Sequence, residues 1–241
     1  MEEFKIIEGF GLPGSGKSTC IASLKNNPRV PKLVQILLRK DADSQFLDKS
    51  SMNSQIKIKI LAELRRTVSY LIVRPYLFFS ALKSVFIFRF SKNFISVFRS
   101  LLGALYSRSK IKVSDVREEN ILLDEGLIQY LGSLAVNSSA NSQLPENLIR
   151  EVIAHNIRAL VYFDIDFETA LSRVKQRDDG KSRFDRMNDE IAVLNLKKMH
   201  QTFALCIKIA QDLKIPILKL ESGNSIEQNT QLTLKFLKEL C

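Results

Sequence analysis

The sequence predicts an α/β protein in which helices cover both faces of a five-stranded parallel sheet, giving a three-layer sandwich. Short apolar runs typical of buried strands alternate with longer segments of helical periodicity, a pattern that favours a doubly wound sheet. A glycine-rich turn joins the first strand to the first helix, and the connection between strands two and three is too long for a simple crossover. The predicted strands are Lys5–Phe10, Leu33–Leu38, Ile121–Asp124, Leu160–Ile165 and Ile215–Leu220. Functional residues are expected at the carboxyl ends of these strands, because open parallel sheets bind ligands there.

The turn after the first strand, Gly11-Leu-Pro-Gly-Ser-Gly-Lys-Ser18, has the G-x-x-x-x-G-K-[ST] pattern of a phosphate-binding loop. Glycine lets the backbone wrap an anion, and the amides over 14–19 then point at the phosphates at a helix N-terminus. Lys17 is expected to reach the β- and γ-phosphates of ATP, and Ser18 is expected to bind Mg²⁺. The expected ATP-contacting residues of this loop are Gly11, Pro13, Gly14, Ser15, Gly16, Lys17, Ser18 and Thr19.

Two carboxylates, Asp124 and Glu125, follow the third predicted strand. A strand-end aspartate beside a phosphate loop completes the Mg²⁺ shell in many such sites, so Asp124 is the predicted metal ligand. Glu125 is the candidate base that orients a nucleophile, and the alternative is that it only caps the helix that begins near Leu127. Asp166 ends the fourth strand region, where an N-cap is favoured over a catalytic role for it or for Asp164.

Arginines gather after the fourth predicted strand. Arg173 and Arg177 are four residues apart and share a helix face, and Arg183 and Arg186 follow a glycine-containing turn. The planar guanidinium binds phosphate oxygens in pairs, so the cluster predicts a lid that closes over ATP, with Arg173 at the bound nucleotide. The alternative is a solvated helix end in which the neighbouring aspartates pair with these arginines.

The charge of the chain is concentrated in one segment. The 241 residues carry a formal net charge of +10, and residues 65–114 contain ten Lys or Arg and no acid. A basic helical insertion over 53–112 is therefore predicted within a single domain spanning 1–241. Its basic residues could lie on an anionic membrane surface; if instead its apolar side packs on the core, they would bind an anionic acceptor or simply face water. Nucleic acid is disfavoured because no binding motif accompanies the charge. A homodimer is compatible with the sequence.

Composition excludes several other classes of protein. The three cysteines are far apart without a C-x-x-C pair, which argues against a zinc site or a disulfide framework and indicates a reducing cytoplasm. With two histidines a histidine-based metal site or triad is not expected. The chain opens almost directly on a strand and has no uninterrupted apolar run long enough to span a bilayer. A cytoplasmic protein is expected. The alternative is a peripheral protein at the inner face of a membrane.

The motif series GLPGSGKST, LLDEG, YFDID and KSRFDR resembles the P-loop nucleoside and nucleotide kinases, and the thymidylate-kinase-like branch most. This resemblance covers about 4–40 and 119–241, and it implies a P-loop NTPase fold with ATP on the loop. It also implies that Arg177, Arg183 and Arg186 lie in the lid and that Glu221–Asn224 lies where such kinases hold the adenine. One departure is that thymidylate kinases have Asp-Arg after the third strand, whereas this chain has Asp124-Glu125.

The resulting functional hypothesis is ATP-dependent phosphoryl transfer to a small acceptor that is nucleoside-, nucleotide- or sugar-like. Lys17, Asp124, Glu125 and the lid arginines are the expected catalytic residues, with ATP and Mg²⁺ as cofactors. The alternative is an ATPase or nucleotide switch, because a strand ending in Asp-Glu also occurs where the glutamate activates water.

Overall fold

The computed structural model of the protein describes residues 5–25, 27–32, 34–37, 120–137, 144–176, 184 and 187–241. Within these ranges strands and helices alternate, as the sequence predicts. In chain order the elements are β1 (Lys5–Gly11), α1 (Lys17–Lys25), β2 (Val34–Leu37), β3 (Asn120–Leu123), α2 (Leu127–Asn137), α3 (Glu146–Asn156), β4 (Ile157–Asp164), α4 (Phe167–Lys175), α5 (Asp189–Asp212), β5 (Ile217–Glu221) and α6 (Ile226–Leu240). The predicted helical insertion over 53–112 lies outside the described residues.

All five strands form one parallel sheet in the order β2-β3-β1-β4-β5, which confirms the predicted architecture. β1 is central, and its Glu8 lies opposite Leu123 of β3 and Leu160 of β4. Since the strands are parallel, their carboxyl ends share one edge of the sheet. The phosphate loop leaves β1 at this edge, and the turn formed by Asp124–Gly126 leaves β3 beside it.

The largest differences from the predicted strand bounds are at β4 and β5. β4 begins at Ile157, directly after α3, and not at Leu160. β5 is displaced toward the carboxyl end and pairs its Ile217 with Leu160. Apolar runs mark the existence of a buried strand, whereas its ends depend on the backbone partners that neighbouring strands offer, which the run itself does not contain.

Alternate residues of the strands feed two core clusters on opposite faces of the sheet. The first core cluster lies beneath α2, α3, α4 and α5 and includes Ile6, Phe10, Tyr162 and Phe203. The second core cluster lies beneath α1 and α6 and includes Ile7, Cys20, Ile21, Val161, Phe163 and Leu234. Helices therefore cover both faces, as the three-layer prediction requires.

Side-chain caps fix the helices that begin at the carboxyl edge. Asp166 accepts a hydrogen bond from the amide of Thr169 at 2.7 Å, so the predicted N-cap of α4 is confirmed. At α6, Ser225 and Gln228 form a capping box in which each side chain accepts from the backbone amide of the other residue. These caps hold the two segments that follow β4 and β5 close to the site described next.

Candidate nucleotide-binding site

The phosphate loop has the backbone shape that its glycines predict. Gly14 and Gly16 have φ angles of 90° and 83°, a region that residues with a β-carbon rarely adopt. A β-carbon on Gly14 would also lie 2.8 Å from the carbonyl oxygen of Ala170 in α4. The amide of Ser15 closes the turn by donating to the carbonyl of Leu12 at 3.1 Å. Gly14 is thus required both for the curvature of the loop and for its contact with α4.

Exposure along the loop changes where the helix begins. Gly11, Gly14, Ser15 and Lys17 are buried, and Pro13 and Gly16 are half-buried. The side chains of Ser18 and Thr19, in the first turn of α1, are exposed. The buried hydroxyl of Ser15 has no hydrogen-bond partner within the described part of the chain. A cradle of amides with an unpaired buried hydroxyl fits a ligand rich in acceptor oxygens, such as a chain of phosphates.

Lys17 connects the loop to the end of β3. Only 7% of the residue is exposed, and its Nζ donates a hydrogen bond to the backbone carbonyl of Asp124. Asp124 is itself 6% exposed, while Glu125 next to it is half-buried. The structure therefore brings together two of the predicted catalytic segments that are more than a hundred residues apart in the sequence.

Oxygen donors for Mg²⁺ are present at this edge. Ser18 offers an exposed hydroxyl from the first turn of α1, and Asp124 offers a carboxylate from the end of β3. Among the described residues no group of three or more His, Cys, Asp or Glu side chains is placed to hold a metal ion. This donor set fits Mg²⁺, which binds through one or two protein oxygens together with phosphates and water.

A buried glutamate under the loop was not among the sequence-predicted site residues. Glu8 is 0% exposed and faces the first core cluster, because it lies between Ile6 and Phe10 on β1. Its Oε1 accepts a hydrogen bond from the amide of Gln129 at 2.9 Å, whereas Oε2 has no partner among the described residues. Glu8 thus caps the first turn of α2, the role that the sequence offers to Glu125 as an alternative.

Burial raises the pKa of Glu8 from its ordinary value of 4.5 to about 7. The amides of Gln129, Ile128 and Leu127, together with the positive charge of Lys17, oppose this effect without cancelling it. On the other side, the charge of Glu8 adds to burial in raising the pKa of the Cys206 thiol of α5. The carboxyl group is therefore held between the cation of the phosphate loop and the first core cluster.

The close approach of Glu8 explains the glycine that follows Asp124 and Glu125. A β-carbon on Gly126 would lie 2.6 Å from the carboxyl carbon and from Oε2 of Glu8. Any larger residue at 126 would displace either the carboxylate or the turn. Gly126 is thus required by the packing of Glu8, whereas Asp124 and Glu125 before it are the candidate catalytic carboxylates.

Gln129 carries the contact from Glu8 up to the phosphate loop. Its Oε1 accepts a hydrogen bond from the amide of Gly11, the first glycine of the loop, at 3.2 Å. Its own amide donates to Glu8, so one residue of α2 joins the middle of β1 to the start of the loop.

Arg173 of α4 bridges the loop and the segment after β5. Its guanidinium donates to the carbonyl of Gly14 at 3.4 Å and to the carbonyl of Ser222 at 3.2 Å. The side chain of Asn229 donates to the carbonyl of Glu221 at 3.2 Å and accepts from the side chain of Asn224 at 3.1 Å. The predicted nucleotide-contacting arginine and the segment over 221–224 therefore lie side by side.

Asp164, at the end of β4, already has strong partners. Lys219 of β5 lies 2.8 Å from its Oδ2, and the hydroxyl of Tyr162 donates to its Oδ1 at 3.0 Å. Burial would raise the pKa of this carboxyl, but the hydrogen bonds from Lys219 and Tyr162 outweigh it and hold the pKa below its usual value. A carboxylate that is already paired with Lys219 and Tyr162 suits a structural role better than proton transfer.

The predicted lid arginines cannot be placed relative to this site. Arg177, Arg183 and Arg186 lie outside the described residues, and their role stays a prediction.

Comparison with known proteins identifies the fold. The sequence matches no protein-family model and no curated protein. A solved structure of deoxyadenosine kinase from M. mycoides, with the products dCMP and a flexible dCDP bound, aligns with a TM-score of 0.50 and 16% identity over 98% of this chain and 100% of that chain. A second structure of that enzyme, with bound dATP, has a TM-score of 0.48 and 17% identity over 97% of this chain and 99% of that chain. The first of these likenesses shows that this chain shares the fold of that nucleoside kinase, and the predicted fold is confirmed at that level.

Proposed function

We propose that this protein is an ATP-dependent kinase that transfers a phosphoryl group to a small acceptor of the nucleoside class. The single observation that carries the proposal is the contact between Lys17 and the backbone of Asp124. It joins a phosphate loop to a strand that ends in two carboxylates, and phosphoryl transfer requires these two parts side by side. The shared fold with a deoxyadenosine kinase supports the acceptor class.

Each site residue has its own role in the proposed phosphoryl transfer. The loop amides bind the phosphates of ATP, and Lys17 places positive charge at the β- and γ-phosphates. Ser18 and Asp124 would hold Mg²⁺, which would supply positive charge to the phosphate oxygens. Glu125 orients the acceptor hydroxyl as its proton leaves. Arg177, Arg183 and Arg186 close over the transferring group from the lid.

Arg173 and the segment over 221–224 form the other end of the ATP site in this proposal. Arg173 spans from the carbonyl of Gly14 to that of Ser222, so it holds the phosphate loop and the proposed adenine segment at a fixed separation. A nucleotide that contacts both segments then binds without the cost of ordering them.

Replacing Arg173 by Met is expected to raise the KM for ATP about five- to tenfold and to change kcat by less than about threefold. The physical reason is that two hydrogen bonds from a charged donor are lost, each worth about 0.5 to 0.7 kcal/mol at an exposed position. Initial rates over a range of ATP concentrations measure the effect. Arg150→Met is the matched control, since this exposed arginine of α3 pairs with Glu146 and Asp212 instead. An unchanged KM in Arg173→Met would contradict the bridging role.

The proposed activity is tested by release of ADP from ATP in the presence of Mg²⁺ and a panel of nucleosides, nucleotides and sugars. A kinase gives ADP only when its acceptor is present, together with an equal amount of phosphorylated acceptor detected by mass spectrometry. Release of inorganic phosphate that no acceptor changes would overturn the proposal.

The second candidate function is an ATPase or nucleotide switch, which the Asp124-Glu125 pair favours because a strand-end glutamate can activate water. A Glu125→Gln variant separates the two functions. In an ATPase it abolishes phosphate release whether or not an acceptor is present, whereas in the kinase it slows only the ADP release that depends on the acceptor.

The basic segment over 65–114 lies outside the described residues, so its binding to an anionic membrane surface, and a homodimer, stay predictions. In the described part of the chain no helix is both long and apolar enough to cross a bilayer. Co-sedimentation with anionic and neutral vesicles at low and high salt tests the surface binding, which should require both the anionic lipid and the low salt.

A further inference from the structure

Beneath the phosphate loop, three residues from two elements form a continuous polar chain. Glu8 of β1 accepts from the amide of Gln129, and the side chain of Gln129 accepts from the amide of Gly11. The chain starts and ends on β1 but passes through the first turn of α2. It therefore ties the start of the loop to the helix that follows the Asp124–Gly126 turn.

The buried position of this polar chain lowers the stability of the folded protein. Glu8 is fully buried against the apolar first core cluster, and its Oε2 has no partner in the described part of the protein. A methionine or leucine at position 8 would fill the same space without the cost of burying a carboxyl group. A residue that packing alone would not select is a candidate for a role in the site above it.

The geometry also shows what the chain constrains. Glu8 fixes the first turn of α2. The turn before that helix packs directly against the Glu8 carboxyl group, because a β-carbon on Gly126 would clash with it. Gln129 then fixes Gly11 relative to that turn. Lys17 makes a second connection, from the loop to the backbone of Asp124. The phosphate loop and the Asp124–Gly126 turn are therefore connected both through the polar chain and through Lys17.

We propose that Glu8 and Gln129 are positioning residues of the nucleotide site, which hold the phosphate loop and the Asp124–Gly126 turn in register before a nucleotide binds. Neither residue touches the nucleotide. Without them the loop occupies its binding shape for a smaller fraction of the time, and the apparent dissociation constant rises by the inverse of that fraction. The inference rests on the proposed nucleotide site, but it does not require that the protein be a kinase.

The test measures the dissociation constant of a fluorescent ADP analogue with Mg²⁺ at a temperature well below unfolding. Gln129→Met has nearly the same shape but lacks the acceptor for Gly11, and it is expected to weaken binding about tenfold. Glu8→Met lacks the acceptor for the amide of Gln129 and is expected to weaken binding similarly. Glu8→Gln keeps an acceptor oxygen and is expected to bind within about threefold of the unchanged protein.

The double variant Glu8→Met with Gln129→Met distinguishes positioning from two unrelated losses. If both residues act through one chain, the double variant binds about as weakly as either single variant, whereas independent effects would multiply to about a hundredfold. Asn156→Ala is the matched control, because this buried amide side chain bonds the carbonyl of Val152 at the opposite end of β4. It should lower the unfolding temperature and leave the dissociation constant unchanged.

Each outcome has a definite meaning. Unchanged binding in Gln129→Met, or multiplicative losses in the double variant, would overturn the inference and leave the proposed kinase intact. Weakened, non-multiplicative binding in a protein that transfers no phosphate to any acceptor would uphold the inference and remove the kinase. Failure of the unchanged protein to bind the analogue would overturn both.

Discussion

Replacing Lys17 by Met is expected to reduce the rate of phosphoryl transfer by roughly 10² to 10³-fold, the magnitude found when one preorganised charge or donor is removed from a transition state. Negative charge accumulates on the phosphate oxygens as the phosphoryl group is transferred. Lys17 is the positively charged side chain of the loop that binds these oxygens. Because the ammonium is buried beside the end of β3, it acts through a medium that screens it less than water does.

Nucleotide binding in the Lys17→Met variant offers a second measurement. Affinity for ADP should fall by more than affinity for AMP, because the side chain is expected to reach the β-phosphate and not the α-phosphate. Lys25→Met is the matched control, since Lys25 is an exposed lysine in the last turn of the same helix. Transfer by Lys17→Met within a few-fold of the normal rate would show that the loop is not the catalytic phosphate site.

Replacing Glu8 by Gln is expected to remove a pH dependence of stability of about 2 to 3 kcal/mol between pH 5 and pH 8. Burial raises the pKa of Glu8 in the folded protein to about 7 from the ordinary value of 4.5, which is the value expected in the unfolded chain. Below about 4.5 the carboxyl is protonated in both states and its stabilising contribution is fully present. As the pH rises through 7 the folded protein must ionise a buried group, and that contribution is lost.

The groups that face Glu8 determine the size of this effect. Lys17, from the phosphate loop, and the amides of α2 favour the ionised form, whereas burial against the first core cluster disfavours it. The thiol of Cys206, facing it from α5, has its pKa raised by burial first and by Glu8 second, so it stays neutral over this range. A phosphate chain bound at Lys17 would weaken the support of that cation and raise the pKa of Glu8 further.

Urea unfolding at several pH values measures the prediction. The free energy of unfolding of the unchanged protein, minus that of Glu8→Gln, should fall steadily from pH 5 to pH 8. Glu168→Gln serves as the control because this exposed glutamate of α4 should give a flat difference. A flat difference for Glu8→Gln as well would mean that the carboxyl group is solvated or paired in the folded protein.

Much of the fold could be predicted from the sequence because its signals are local. A buried strand such as β1 is recognised from a short apolar run. The loop that follows it is recognised from glycines at fixed spacing before Lys17. The cap at Asp166 is also local, since its partner is three residues away. In each case the interacting residues are only a few positions apart in the sequence, so the local pattern is enough to predict the structure.

Glu8 and Gln129 could not be found in this way. Their contact spans 121 residues, and neither has a motif of its own. The one local signal was an acidic residue at an inward position of β1, between Ile6 and Phe10, where alternation predicts an apolar side chain. Such a residue must have a partner, but the sequence does not say which distant element supplies it. The acceptor half of the site has the same difficulty, since its candidate segment lies within 38–119, outside the described residues.

Two buried cysteines place one chemical reporter on each face of the sheet. Cys20 lies in the second core cluster, with its Sγ 3.7 Å from the hydroxyl of Thr230, and Cys206 lies in the first core cluster, while Cys241 is exposed. Burial raises the pKa of both buried thiols, so neither reacts with an alkylating reagent until its helix leaves the sheet. Alkylation of Cys20 therefore times the release of the loop-bearing α1 from α6, and alkylation of Cys206 times the release of α5, independently and within one molecule.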